Sequence, residues 1–188
     1  MKHNNFKQRV LTLALAAVFA IGSGFFAVNS YAADASSTAT GTVIVPIAVV
    51  ADGVLSFGNF AAKSTGSTVI ISTSGDRTGT ALMSNTGSTP RAAKFDVSGF
   101  ANATYNITHT ALTALTGISG DALTGPATMA LTKCSSLTAD GTISGDVATG
   151  TLSAGGGECI YVGGTLTVGA SQAGGEYTGS VEVTVEYN

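Results

Sequence analysis

From residue 41 onward the chain alternates short apolar clusters with turn residues, and no stretch carries a sustained 3.6-residue apolar stripe. Gly and Thr recur every few positions, which breaks helices and suits short strands. The pattern predicts strands over residues 41–50, 54–58, 67–72, 81–84, 92–99, 103–110, 127–132, 149–153, 160–168 and 177–187. Phe95 and Val97 alternate with Asp96 and Ser98, Tyr105 and Ile107 with Asn106 and Thr108, and residues 100–103 between them read as a hairpin loop. The end of the chain is the clearest case. Val181, Val183, Val185 and Tyr187 face one way and Glu182, Thr184 and Glu186 the other, so one face is buried and one solvated. Residues 41–50 are apolar and β-branched, with Val43, Val45, Ile47 and Val49 on one face. Pro46 lies inside that run; lacking an N–H, it places the strand at an edge or bends it. Many short strands at near-regular spacing, joined by Gly/Ser/Asn/Asp turns, predict a single all-β domain, an antiparallel sandwich or barrel.

The first thirty-odd residues read as an address. Lys2, Lys7 and Arg9 precede an apolar run from Val10 to Phe26, and Ser30-Tyr31-Ala32 offers small residues at the two positions a signal peptidase reads. The expected organisation is a signal peptide over 1–32, a loose polar segment over 33–40 and one β domain over 41–188. The alternative for the first segment is an uncleaved membrane anchor. Export to the periplasm, cell surface or exterior follows from cleavage, with no later apolar run long enough to span a bilayer.

Removing that segment changes the charge. Lys63, Arg77, Arg91, Lys94 and Lys133 remain against eleven carboxylates, a net charge of −6. An acidic chain with scattered cations lacks the basic footprint that nucleic acid requires. Few charges mean a surface of Thr, Ser, Gly and Asn, which suits a subunit packed against others as well as a plain secreted β protein.

Candidate chemistry is sparse. Cys134 and Cys159 are the only cysteines. In an exported chain such a pair is expected to form a disulfide, removing about 3.5 kcal/mol of denatured-state freedom by closing a glycine-rich loop. There is no GxSxG, HExxH or phosphate-loop motif. His109 is the only histidine after the leader; at a strand end it reads as a surface residue, and no spacing supplies an acid to orient it toward a serine. Asp140, Asp146 and Glu158 are candidate calcium ligands by residue type, but they match no calcium-loop spacing and read as solvated turn carboxylates. The expectation is no enzyme activity, no cofactor and no metal. Tyr177 either ties an arch to the following strand, as in a tyrosine corner, or fills one end of the core.

Three blocks carry a resemblance: residues 55–62 (LSFGNFAA), residues 93–108 (AKFDVSG through ATYNIT), and residues 162–188 (VGGTLTV, YTG, VTVEYN). They resemble a family of secreted bacterial proteins known mainly as a domain of unknown function. More distantly, the LxFG turn and the GxYxGxxxVxVxY end resemble fimbrial (pilin) and spore-coat-U-type subunits. In such pilins the last strand alternates, ends in a penultimate Tyr and has a Gly fourteenth from the end; here these are Tyr187 and Gly175. That resemblance implies an incomplete Ig-like (pilin-like) sandwich, completed by the N-terminal strand of another copy through β-augmentation. It also implies self-association or a periplasmic chaperone as partners. The donor would be Val43, Val45, Ile47 and Val49, and the zipper strand Gly175, Val181, Val183, Val185 and Tyr187. Two features depart from the pilin pattern: the cysteine pair lies late, and residues 33–40 are too polar to plug a groove. The function implied is a structural or adhesive subunit of a surface appendage or coat. The alternative is a self-complete, monomeric secreted binding module.

Overall fold

The structure is a computed structural model that describes residues 33–188. The expected signal segment and its cleavage site lie outside the described residues. Residues Val43–Asn188 form one compact unit. Its strands are β1 (Ala48–Gly53), β2 (Phe60–Ala61), β3 (Ser67–Ile71), β4 (Arg77–Gly79), β5 (Leu82–Met83), β6 (Ala93–Ser98), β7 (Thr104–His109), β8 (Ala114–Gly117), β9 (Thr128–Ser136), β10 (Thr149–Thr151), β11 (Gly157–Val168), β12 (Tyr177–Thr178) and β13 (Val183–Tyr187). A single 3-10 turn, Gly120–Leu123, is the one helical element among the described residues. The domain is all-β, and every strand pairing is antiparallel.

The long strand β11 organises the molecule. One edge pairs with β6 along its first half, Gly157 to Val162, and with β3 along its second half, Gly164 to Val168. The other edge pairs with β9. Strands β1 and β4 extend this sheet beyond β6 and β3, and β8 and β12 extend it beyond β9, for eight strands in all. The change of partner falls on Gly163-Gly164. A Cβ on Gly163 would strike the Ile71 carbonyl and come within 3.1 Å of Cys134 Sγ, so the seam between β6 and β3 requires a residue without a side chain.

Two apolar clusters lie on this sheet. In the first, Ala93, Phe95 and Val97 of β6 and Ile160 and Val162 of β11 meet Tyr105 and Ile107 of β7, Val183 and Val185 of β13, and Leu152. Strands β10, β7 and β13 form a separate three-stranded sheet, so this cluster is closed between two sheets. In the second, Val69 and Ile71 of β3, Met129 and Leu131 of β9 and Leu166 and Val168 of β11 are covered by Phe57, Ala81, the two-residue pair β2–β5 and irregular segments.

Three predicted strands come out differently, and one of them, residues 54–58, keeps only an isolated bridge at Ser56. Residues 41–47 join no ladder, and pairing begins at Ala48, opposite Ser98 of β6. Pro46 can donate nothing to a ladder, so pairing starts only after it. The terminal run 177–187 is split. Residues Tyr177–Thr178 pair with β8 of the large sheet, and Val183–Tyr187 pair with β7 of the small one. The chain crosses between sheets over 179–182, where Gly179 lies against Leu112 and Leu115 so closely that a Cβ would come within 2.9 Å of Leu115.

Candidate functional site

An open cavity of about 1060 Å³ lies over the second cluster. Its floor is apolar, formed by Leu115 of β8, Met129 and Leu131 of β9, and Leu166 and Val168 of β11. One wall is residues 55–64, the other residues 171–181.

The first wall is held by an arginine. Ser56 pairs with Arg91 through both backbone groups, each bond 2.9 Å. The chain then turns at Gly58, at φ 66°, with Phe57 buried beneath. The Arg77 guanidinium donates to the carbonyls of Phe57 at 3.3 Å, Asn59 at 3.1 Å and Ser84 at 2.6 Å. A Cβ at Gly58 would lie 2.7 Å from that guanidinium and 2.9 Å from the Pro90 ring. The LSFGNF segment is therefore a collar around Arg77 rather than the predicted strand.

The second wall is anchored by Tyr177. Its hydroxyl lies 2.8 Å from the Ala173 carbonyl, 3.0 Å from the Pro126 carbonyl and 2.9 Å from Gln172 Nε2, which donates to it. The ring packs on the second cluster, so the residue both fills the core and ties the arch before β12. Gly175 sits in that arch, against the Ser119 carbonyl, outside any strand. Val181 lies between β12 and β13, half-buried at the margin of the first cluster. Val183 and Val185 are buried, and Tyr187 ends β13. Of the N-terminal residues, Ile47 and Val49 pack against the first cluster, whereas Val43 is 99% and Val45 59% exposed.

The two cysteines are free thiols, not the expected disulfide. Cys134 of β9 stands opposite Gly163 of β11, and Cys159 lies four residues earlier on that strand, opposite Asp96. Four residues of strand span about 13 Å, beyond the roughly 7 Å that a disulfide can bridge. The Cys159 thiol donates to Asp96 Oδ1 at 3.3 Å; burial and that contact raise its pKa. Burial raises that of Cys134. Lys94 holds Asp52 and Asp96 at 2.9 Å each, and these carboxylates push the ammonium pKa up while Lys94 draws that of Asp96 down.

Cys134 is buried because the segment between β9 and β10 folds over the outer face of the sheet. Asp140 Oδ1 accepts from Thr73 Oγ1 at 2.9 Å and from the Thr142 N–H at 3.1 Å, and Oδ2 accepts from Ser136 Oγ at 3.1 Å. These donors, the Thr142 N–H foremost, hold its carboxyl well below the usual range. The other end of the segment is pinned by His109, which is half-buried rather than on the open surface. His109 Nε2 lies 3.0 Å from Ser135 Oγ and 3.1 Å from the Val147 carbonyl. Ser135 Oγ donates to Asp146 Oδ1 at 3.1 Å and accepts from the Val147 N–H at 2.9 Å. Serine, histidine and aspartate thus meet, a grouping invisible in their spacing. The arrangement is not that of a nucleophile and its base: the carboxylate rests on the serine, His109 Nδ1 has no partner among the described residues, and Ser135 is 5% exposed. The three residues clamp a loop. The candidate calcium ligands do not converge: Asp140 and Asp146 serve opposite ends of this segment, and Glu158 accepts from the Cys159 N–H.

A family model for a domain of unknown function, DUF4402, matches residues 47–187, and the chain belongs to that family. No curated protein and no solved structure matches the chain.

Proposed function

We propose that this member of the domain-of-unknown-function family is a non-enzymatic, exported structural subunit of a surface appendage or coat, built as an Ig-like sandwich lacking one strand. Its copies join when residues 41–47 of one chain lie in the cavity of another. One observation carries this reading: the same chain presents a groove with polar walls over an apolar floor, and an apolar segment that joins no ladder. The groove runs between residues 55–64 and 171–181 over Met129, Leu131, Leu166 and Val168. The segment offers Val43, Val45 and Ile47 at the period of two that a strand needs to set side chains on such a floor. Strand β12 is outermost in the large sheet and β13 in the small one, so each leaves an edge of backbone groups for an added strand. A periplasmic chaperone is the partner that would occupy such edges before assembly.

The second reading is a self-complete monomer that binds a ligand in the cavity. It is favoured by β1, which pairs with β6 of its own chain directly after the segment in question.

Protein purified after expression of the full chain is expected to form SDS-resistant, heat-labile ladders. Val45→Asp with Ile47→Asp should abolish them while leaving a folded or chaperone-bound monomer. A monomer that stays monodisperse at high concentration without a chaperone would overturn strand exchange and leave the ligand-binding reading.

A further inference from the structure

The N-terminal strap, residues 43–46, is held by an unusual fastening. Residues 43–46 join no ladder, and Val43, Ile44 and Val45 are 99%, 43% and 59% exposed. Among the described residues, the hydrogen bond that reaches residues 43–46 comes from Tyr187, 142 positions away: its hydroxyl donates to the Val45 carbonyl at 2.8 Å. The same hydroxyl accepts from the Phe100 N–H at 2.6 Å, in the turn between β6 and β7. One phenol therefore joins the strap, a hairpin turn and the end of β13.

The seat for that hydroxyl is made by a missing side chain. A Cβ on Gly99 would collide with the Tyr187 hydroxyl and lie 3.0 Å from Leu152 Cδ1. The turn is itself fixed, because the Gly99 N–H donates to the Gly156 carbonyl at 2.8 Å. The acceptor side of the hydroxyl is thus rigidly placed, and its one proton is committed to Val45. Beyond the strap the chain is secured by a different means, with Ile47 and Val49 packed on the first cluster and Ala48 opening the β1–β6 ladder.

We infer that the Tyr187 hydroxyl is a latch that keeps residues 43–46 on their own domain, and that its release frees the strap for the groove of a second copy of this chain. The first clause stands on the geometry alone; the second rests on the strand-exchange reading. A solvent-exposed strap secured through one hydroxyl opens without disturbing either cluster, whereas a strap zipped into a ladder would open only with its sheet.

The latch is tested on the purified full-length protein by the rate of thermolysin cleavage within residues 43–46, followed by mass spectrometry. Cleavage of an opening segment tracks the population of the open form. Losing one neutral hydrogen bond corresponds to about a five- to tenfold rise in that population. Tyr187→Phe, which keeps the ring, and Gly99→Ala, which keeps the tyrosine and displaces its hydroxyl, should each raise strap cleavage by that factor. Tyr105→Phe, which removes a hydroxyl without a hydrogen-bond partner from the residue opposite Tyr187, should leave it at the wild-type rate. Equal cleavage in wild type, Tyr187→Phe and Gly99→Ala would overturn the latch, as would faster laddering without faster cleavage. Faster cleavage with no ladder in any variant supports the latch and defeats strand exchange instead.

Discussion

The two apolar clusters are built on the same strand, β11, and differ in what covers them. Over Ile160 and Val162 lies a second sheet whose alternate residues Tyr105, Ile107, Val183 and Val185 reach down to close the core. Over Leu166 and Val168 lie the Arg77 collar, the β2–β5 pair and the Tyr177 arch, with an open cavity between them. A paired sheet satisfies its backbone internally and can lay a continuous apolar face on another sheet. Irregular segments must find individual partners for their polar groups, as Arg77 does for three carbonyls and Tyr177 and Gln172 together do for two, and they leave gaps where no partner is offered. The closed half holds a continuous core, and the open half leaves part of the large sheet under a cavity.

That contrast predicts unequal responses to the same insult. Val183→Asp places a carboxylate between two sheets, among the apolar side chains of the first cluster, and should lower stability by about 4 kcal/mol, read as a shift of the urea midpoint. A denaturation curve matching wild type would show that β13 does not face the core. Truncation gives the next largest difference. Ile160→Ala, in the closed half, should cost about 3 kcal/mol, whereas Leu115→Ala at the groove should cost about 1 kcal/mol because the neighbouring space is already open. Equal losses would mean that the groove wall is packed as tightly as the core.

Alkali probes the closed half through one phenol. Tyr105 is fully buried and its hydroxyl has no hydrogen-bond partner among the described residues. Burial, with the nearby Glu158 charge adding to it, pushes its pKa from the ordinary 10.0 up to about 12. Between those values the unfolded chain has lost the phenolic proton and the folded chain retains it. This group's contribution is therefore present in full below pH 10 and lost as the pH rises toward 12. Melting temperature should fall across that window in wild type and less steeply in Tyr105→Phe; identical slopes would assign the loss to other groups. The smallest effect is expected on the outer face. Asp140→Asn removes the ionic acceptor for Thr73, Ser136 and Thr142. Once Cys159 has been alkylated, Cys134 should react with iodoacetamide several-fold faster in this variant, with little change in midpoint. An unchanged rate would mean that other contacts alone keep the thiol covered.

Much of the closed half was legible from the order of residues. The alternations at Phe95 and Val97, at Tyr105 and Ile107 and at Val183 and Val185 mark faces that are buried, because a strand's period of two is a local property of backbone geometry. The short strands of the open half were harder to read. Strands β2, β4 and β8 are two to four residues long and were not predicted, since so few positions carry no period. The candidate site was partly legible: the LSFG turn stood out, while the arginine inside it lies 19 residues beyond Gly58 and announces nothing.

Sequence by itself determined the all-β class, the inward faces of the principal strands and the odd apolar character of residues 41–50. Only the tertiary structure decided that the terminal run divides between two sheets, that His109, Ser135 and Asp146 meet as a clamp, and that Tyr187 reaches Val45. It also decided that Cys134 and Cys159 stay apart. An even count of cysteines speaks for a bond, but the registers of β9 and β6 on β11 set Cys134 opposite Gly163 and Cys159 opposite Asp96, four residues or about 13 Å apart along β11. Period and composition act between neighbours in the chain, and the sequence displays them directly. Register, sheet crossing and side-chain partnership depend on where distant segments come to rest, which the packing of the whole domain sets.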